Sequence, residues 1–328
     1  MRQFEYIKAT DIEMAIDAVA SHPDASFLAG GTNLVDLMKL GVKTPTRVVD
    51  INKLPLTGIT DMPHAIRIGA LEHNSDVACH PLVQANCPLL AQALLSGASP
   101  QLRNMATIGG NLLQRTRCYY FNDITEPCNK RSPGSGCPAL TGQNRLHAIL
   151  GTSSSCIATH PSDMCVALAA LDAIVHTQGP QGERQIPLSR FYVLPETTPD
   201  RETILTHGEL ITAVAIPKSS SPAQSLYIKI RDRASYAFAL VSVAVILEVQ
   251  HDQRIQAVRI ALGGVAPKPW RCYEAEAFLR NSPLSRDVFT AAASLAVATA
   301  SSRGANAFKH ILVQRALVRA LSIAGGLL

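Results

Sequence analysis

Phe27-Leu28-Ala29-Gly30-Gly31-Thr32-Asn33-Leu34 leaves a short apolar run, turns on a glycine pair and opens a helical pattern. Such a turn aims backbone N–H groups, and the partial positive charge of a helix start, at one place that suits an anion. Paired glycines permit close backbone approach and positive φ, and Thr32 and Asn33 add side-chain donors. A plain strand-to-helix turn is the competing reading, because glycine pairs are common at turns. The chemistry returns at Ala106-Thr107-Ile108-Gly109-Gly110-Asn111-Leu112. Two such loops suit a dinucleotide, whose pyrophosphate and extended chain need donors from more than one place. No G-x-G-x-x-G follows the first strand and no Walker-type phosphate loop is present, which removes the main support for Rossmann and P-loop readings.

Around these loops the opening is α/β in rhythm. Residues 11–21 have helical spacing behind a candidate N-cap at Thr10, 26–29 read as a strand, 34–40 as a helix and 46–51 as the next strand. Residues 65–71 read as a strand, His73 to Asp76 as a helix start, 89–96 as helix and 108–113 as the second glycine turn. Helical spacing returns over 164–173, with strands over 173–177 and 185–187. The run Ser219-Ser220-Ser221-Pro222 marks a linker. Beyond it 226–231, 239–250 and 256–262 read as strands, with Asp252-Gln253 as a hairpin turn, and two helices over 287–299 and 307–323 close the chain. No internal repeat stands out.

With 328 residues and 47% hydrophobic side chains the chain can bury a large core, in one large domain or two. Only 17% of residues are charged, which suits a subunit whose surface is partly covered. The net charge of +5 comes from scattered Lys and Arg without runs or interleaved aromatics, so nucleic acid is not expected as a partner. The apolar run from Ala237 to Leu247 contains Ser242 and is too short to cross a bilayer. The first residues carry acidic side chains and no apolar h-region, so the chain by itself reads as cytoplasmic. Export to the periplasm with a signal-bearing partner is the alternative.

Eight cysteines without a secretory signal argue against a disulfide framework and bring metal ligation forward. Cys118, Cys128, Cys137 and Cys156 fall in or beside the stretch 115–155, which is rich in Pro, Gly and Asn and has neither helix nor strand period. A group held by four thiolates would cross-link a loop that has little core of its own. Their spacings of nine, eight and eighteen residues contain no C-x2-C pair, so zinc and structural free cysteine stay open as readings. Cys79, Cys87, Cys165 and Cys272 lie in ordinary periodic segments and read as structural, although Cys165 is the one alternative to Cys156 as a fourth ligand. Arg115, Arg117, Lys130 and Arg131 are either counter-charges to a cluster or solvated loop charges.

The two glycine loops, with His160-Pro161-Ser162-Asp163 and Leu262-Gly263-Gly264-Val265-Ala266-Pro267, resemble the FAD-binding medium subunits of the xanthine dehydrogenase and carbon monoxide dehydrogenase family over nearly the whole length. The resemblance implies an α+β chain: a vanillyl-alcohol-oxidase or p-cresol-methylhydroxylase type FAD-binding domain over 1–222, then a smaller α+β domain over 223–328. It implies FAD held by Phe27, Leu28, Ala29, Gly30, Gly31, Thr32, Asn33 and Leu34, by Thr107, Gly110 and Asn111, and by Asp163, with Ile211 and Lys229 as further contacts. The insertion over about 115–156 looks like that of flavin subunits of bacterial molybdenum aldehyde oxidoreductases, which carry an extra [4Fe–4S] cluster. That likeness implies Cys118, Cys128, Cys137 and Cys156 as ligands. It also implies a molybdopterin-binding large subunit, a [2Fe–2S] small subunit and an external electron acceptor as partners. Tyr236, in Arg231-Asp232-Arg233-Ala234-Ser235-Tyr236, is expected to lie against the flavin ring or to be a plain buried tyrosine. The rivals are a purine-oxidising or 4-hydroxybenzoyl-CoA reductase type member of the family, and a flavin-free, metal-loop binding protein.

Overall fold

A computed structural model of the chain describes residues 1–218 and 223–328, so the expected linker Ser219 to Pro222 lies outside the described residues. Among the described residues twelve strands form three sheets. The first is parallel, with β3 (Arg47–Asp50) between β1 (Glu5–Lys8) and β2 (Ala25–Leu28). The helix Ile12–Ala20 crosses from β1 to β2, and Asp11, not Thr10, caps it, because the Asp11 carboxylate accepts the Met14 N–H at 2.8 Å.

The second sheet is antiparallel and ordered β4 (Ile59–Asp61), β5 (Ala65–Gly69), β8 (Leu210–Pro217), β6 (Ile174–Gly179) and β7 (Gly182–Pro187). Its central strand β8 has no counterpart in the sequence reading. Cores on both of its faces bury Leu210, Ile211, Ala213, Val214, Ala215 and Ile216, so only Thr212 interrupts the apolar residues and no alternation shows. The buried helices Pro88–Ser96 and Asp163–Ala170 share a core with this sheet.

The third sheet is antiparallel: β9 (Gln224–Ile230), β10 (Val241–Val249), β11 (Ile255–Gly263) and β12 (Trp270–Arg271), adjacent in that order. Three helices, Tyr273–Leu279, Arg286–Ala296 and Phe308–Ala324, pack with it around one core. The first of them was not foreseen. Tyr227, Ala244, Ile246 and Ala261 of this sheet belong to the core of the preceding half. The apolar core therefore runs on past residue 222.

Residues 115–155 hold only two short helical turns, Tyr119–Asn122 and Pro138–Leu140. The second glycine segment is not a bare turn but a helix, Ile108–Leu112, capped by Thr107, whose Oγ1 accepts the Gly110 N–H at 3.3 Å.

Candidate flavin cleft and cysteine cavity

A cleft of about 1000 Å³ opens between the glycine turns and the third sheet. Phe27 and Ala29 through Leu34 line it, as do Thr107, Gly110, Asn111, Asp163, Ile211, Lys229 and Tyr236. Leu28, expected as a contact, does not line it. Gly30 lies so close to the Met105 carbonyl that a Cβ would overlap main chain. Gly31 has φ +71°, the left-handed region that glycine enters at no steric cost. The two turns are thereby pressed together across the mouth of the cleft.

Polar atoms on the wall are oriented before any ligand arrives. Asn33 Oδ1 accepts the Arg115 N–H at 2.9 Å, while its buried Nδ2 has no partner. Ser162 Oγ donates to Asn111 Oδ1 at 2.6 Å. The Asp163 carboxylate, 8% exposed, accepts from Tyr227 Oη at 2.6 Å and from Lys229 Nζ at 2.8 Å, and Lys229 also donates to the Ser96 carbonyl at 3.1 Å. Burial beside this carboxylate pushes the Tyr227 hydroxyl well above its ordinary range. At the rim Tyr236 is 55% exposed with φ +50°, and Arg233 stands over its ring at 5.9 Å. Left-handed backbone is uncommon for a bulky residue, and such outliers gather at ligand clamps. Tyr227 was not anticipated, since a tyrosine inside an apolar strand carries no local sign of its partner.

The four expected cysteines, far apart in sequence, line one small cavity with Lys130 and His147. Cys165 is elsewhere: on the helix Asp163–Ala170 it lies 3.1 Å from Tyr192 Oη. The Ala158 N–H donates to Cys156 Sγ at 3.5 Å, and the N–H groups of Tyr120 and Phe121 near Cys118, and of Ala139, Leu140 and Ile157 near Cys137, act to lower those thiols. Burial pushes the Cys118 thiol up to about 12 and raises those of Cys137 and Cys156. Among the described residues no three His, Cys, Asp or Glu side chains converge as a single-ion site.

The nearby cations are engaged with protein groups. Lys130 bonds Glu202 at 2.9 Å and the Pro199 carbonyl at 2.7 Å, and its charge acts on Cys156. Arg115 pairs with the same Glu202, which the two cations hold below the usual carboxylate range despite its burial. Arg131 donates to the carbonyls of Tyr120, Phe121 and Glu126. Arg117 lies over the Phe238 ring at 5.2 Å and reaches the flavin cleft. A third cavity, of about 150 Å³ against about 10 Å³ for the cysteine cavity, lies between the two sites: Cys118 and His147 line it from one side, and Arg117, Asp163 and Phe238 from the other.

The parallel sheet with its glycine turn, the antiparallel sheet beside it and the helix-covered third sheet define a two-part flavin-binding chain. Residues 2–219 match the FAD binding domain in molybdopterin dehydrogenase, and residues 226–324 match the CO dehydrogenase flavoprotein C-terminal domain. The chain belongs to this family and is an FAD-binding oxidoreductase subunit. It is similar to the aldehyde oxidoreductase FAD-binding subunit PaoB of Escherichia coli (strain K12), 50% identical over 326 residues and 98% of each chain. It is also similar to the carbon monoxide dehydrogenase medium chain of Hydrogenophaga pseudoflava, 27% identical over 98% of this chain and 97% of that one. The solved carbon monoxide dehydrogenase of that organism has a chain that superposes with a TM-score of 0.78, at 27% identity, over 99% of this chain and 98% of the other. Reconstituted CO dehydrogenase from Oligotropha carboxidovorans, at 24% identity and a TM-score of 0.78, shares the fold over 99% of both chains.

Proposed function

We propose that the chain is the electron-relay subunit of a molybdenum hydroxylase that oxidises aldehydes to carboxylic acids, with residues 1–222 as its flavin unit and 223–328 as its C-terminal unit. The aldehyde rests on one observation: 50% identity over 98% of both chains to an aldehyde oxidoreductase subunit, against 27% for the carbon monoxide dehydrogenase chain. A molybdopterin-binding large subunit performs the hydroxylation, a [2Fe–2S] small subunit relays the electrons, and an external acceptor removes them. Among the described residues no helix is long and apolar enough to cross a membrane. A periplasmic site is reached by export with a signal-bearing partner, and a cytoplasmic one needs none.

Bound FAD supplies a centre that accepts single electrons and passes on one or two. The unpartnered Asn33 Nδ2 and the N–H groups of the first glycine turn are matched to its pyrophosphate, whereas those of Ile108 to Asn111 already donate within the protein and the second turn contributes its surface. Asp163, fixed by Tyr227 and Lys229, is placed to accept from a nucleotide hydroxyl or ring N–H. Phe27 and Ile211 give apolar wall, and Tyr236 at the rim shields the flavin ring from solvent. A Tyr236→Ala variant with unchanged flavin potential and acceptor rates would remove that role.

Cys118, Cys128, Cys137 and Cys156 are the ligands of a [4Fe–4S] cluster in this reading. The donor set fits: four sulfurs around one cavity, with the Ala158 N–H donating to Cys156 and further main-chain N–H groups near Cys118 and Cys137, which suits thiolates better than neutral thiols. One zinc would need its sulfurs about 3.8 Å apart, as tetrahedral ligands at about 2.3 Å. A cluster takes one thiolate on each of four irons, which four thiols lining a common cavity can supply. When bound, the cluster supplies a one-electron centre beside the flavin. Co-expression with the partner subunits tests both readings. Turnover of aldehydes and not of purines is expected, with flavin bands and a broad iron–sulfur absorbance. Cys128→Ser should lose about four iron atoms per chain and keep FAD, whereas full iron in that variant, or zinc in a colourless protein, overturns the cluster.

A further inference from the structure

Resting on the cluster reading, we propose that His147 is a positioning residue which donates Nε2–H to the Cys118 sulfur and sets the potential of the cluster on its flavin-facing side. His147 is 2% exposed, and its Nε2 lies 3.1 Å from Cys118 Sγ. Among the described residues it is the one side chain hydrogen-bonded to a sulfur of the four. An iron-bound thiolate can only accept, so the proton of the ring belongs on Nε2. The opposite nitrogen, Nδ1, is buried without a hydrogen-bond partner.

The ring is also held from behind. The main chain before it is fixed by Lys309 Nζ, which donates to the Leu146 carbonyl at 3.0 Å. The main chain after it is fixed by Asn306 Nδ2, which donates to the Ala148 carbonyl at 3.0 Å. The C-terminal part of the chain thus aims one imidazole at one sulfur, an arrangement typical of outer groups that orient a ligand. Its place is not neutral, because His147 and Cys118 line both the cysteine cavity and the small cavity that reaches Asp163 and Phe238 of the flavin cleft. A hydrogen bond to a ligand sulfur withdraws charge from the cluster and favours its reduced state. His147 therefore raises the cluster potential and biases the sharing of an electron with the flavin toward the cluster.

The test is a redox titration of the assembled complex, followed by the EPR signal of the reduced cluster and by flavin absorbance. His147→Phe removes the donor and is expected to lower the cluster potential while iron content, FAD content and flavin potential stay at their wild-type values. His147→Gln keeps an N–H donor and should recover part of the shift. An unchanged cluster potential in His147→Phe with iron intact overturns the inference, whereas wild-type protein without iron overturns the cluster itself. Should the phenylalanine variant fail to assemble, pulsed EPR of the wild-type complex labelled with 15N-histidine decides. A weak nitrogen coupling through the hydrogen bond supports the inference. No coupling, or one as strong as a directly bound imidazole gives, overturns it.

Discussion

Gly30 is a glycine because main chain occupies the place of its side chain. The Met105 carbonyl cannot rotate away as a side-chain tip could, so Gly30→Ala must separate the two turns or distort one of them. Overpacking of this kind costs about 1–3 kcal/mol even where side chains can yield. The variant is expected to lose bound FAD and to unfold at lower temperature, read from flavin absorbance and a thermal melt. Asp163 has a different weakness. Lys229 is buried against it, and Asp163→Asn leaves the ammonium without its counter-charge, at a cost of about 3–5 kcal/mol. A denaturation midpoint equal to wild type would show that the pair is not structural. Both residues were expected as site positions, and Lys229 as a further flavin contact, but neither pairing was legible, because Met105 and Lys229 are brought up by elements distant in the chain.

At the scale of elements, the helix Phe308–Ala324 fastens the cysteine segment through Lys309. This lysine is 0% exposed and donates to the Leu146 and Gly264 carbonyls, the latter at 2.6 Å, and burial lowers it from 10.5 to about 7. Between those values the unfolded chain binds more protons than the folded one, so stability rises with pH across the window. The contribution is complete above 10.5 and lost as pH falls to about 7. Lys309→Met should flatten this slope in denaturant titrations run from pH 7 to 10, and an equal slope in both proteins would contradict the assignment. Elements with a clear period, such as the helix Pro88–Ser96, were legible in sequence. β8 was not, because a strand covered on both faces, with Leu210 in one core and Ile211, Val214 and Ile216 in another, loses the alternation that marks a half-exposed one. The helix Tyr273–Leu279 is only seven residues long, too short to display its period.

For the whole molecule, the flavin cleft takes walls from both family domains: the glycine turns and Asp163 from the first, Lys229 and Tyr236 from the second. The continuous core across their junction couples them further. FAD is therefore expected to stabilise the chain as one unit, by about 2.7 kcal/mol when free FAD stands at a hundred times its dissociation constant. A calorimetric scan at rising FAD should show a single transition moving upward. Two transitions, one of them insensitive to FAD, would show that the halves unfold separately.

The turns were legible from the residues alone. Glycine pairs, a capping threonine and the long aperiodic cysteine segment act through local backbone geometry, which a short window of residues contains. Resemblance over the full length then identified the flavin family. Only the tertiary structure decided which of the cysteines meet, since spacings of nine, eight and eighteen residues leave thiols free to be anywhere. It also decided that Cys165 turns to Tyr192, that Asp163 is locked by two residues of β9, and that His147 faces Cys118. These pairings join segments far apart in the chain, and they follow from the packing of sheets and helices, which no local pattern encodes.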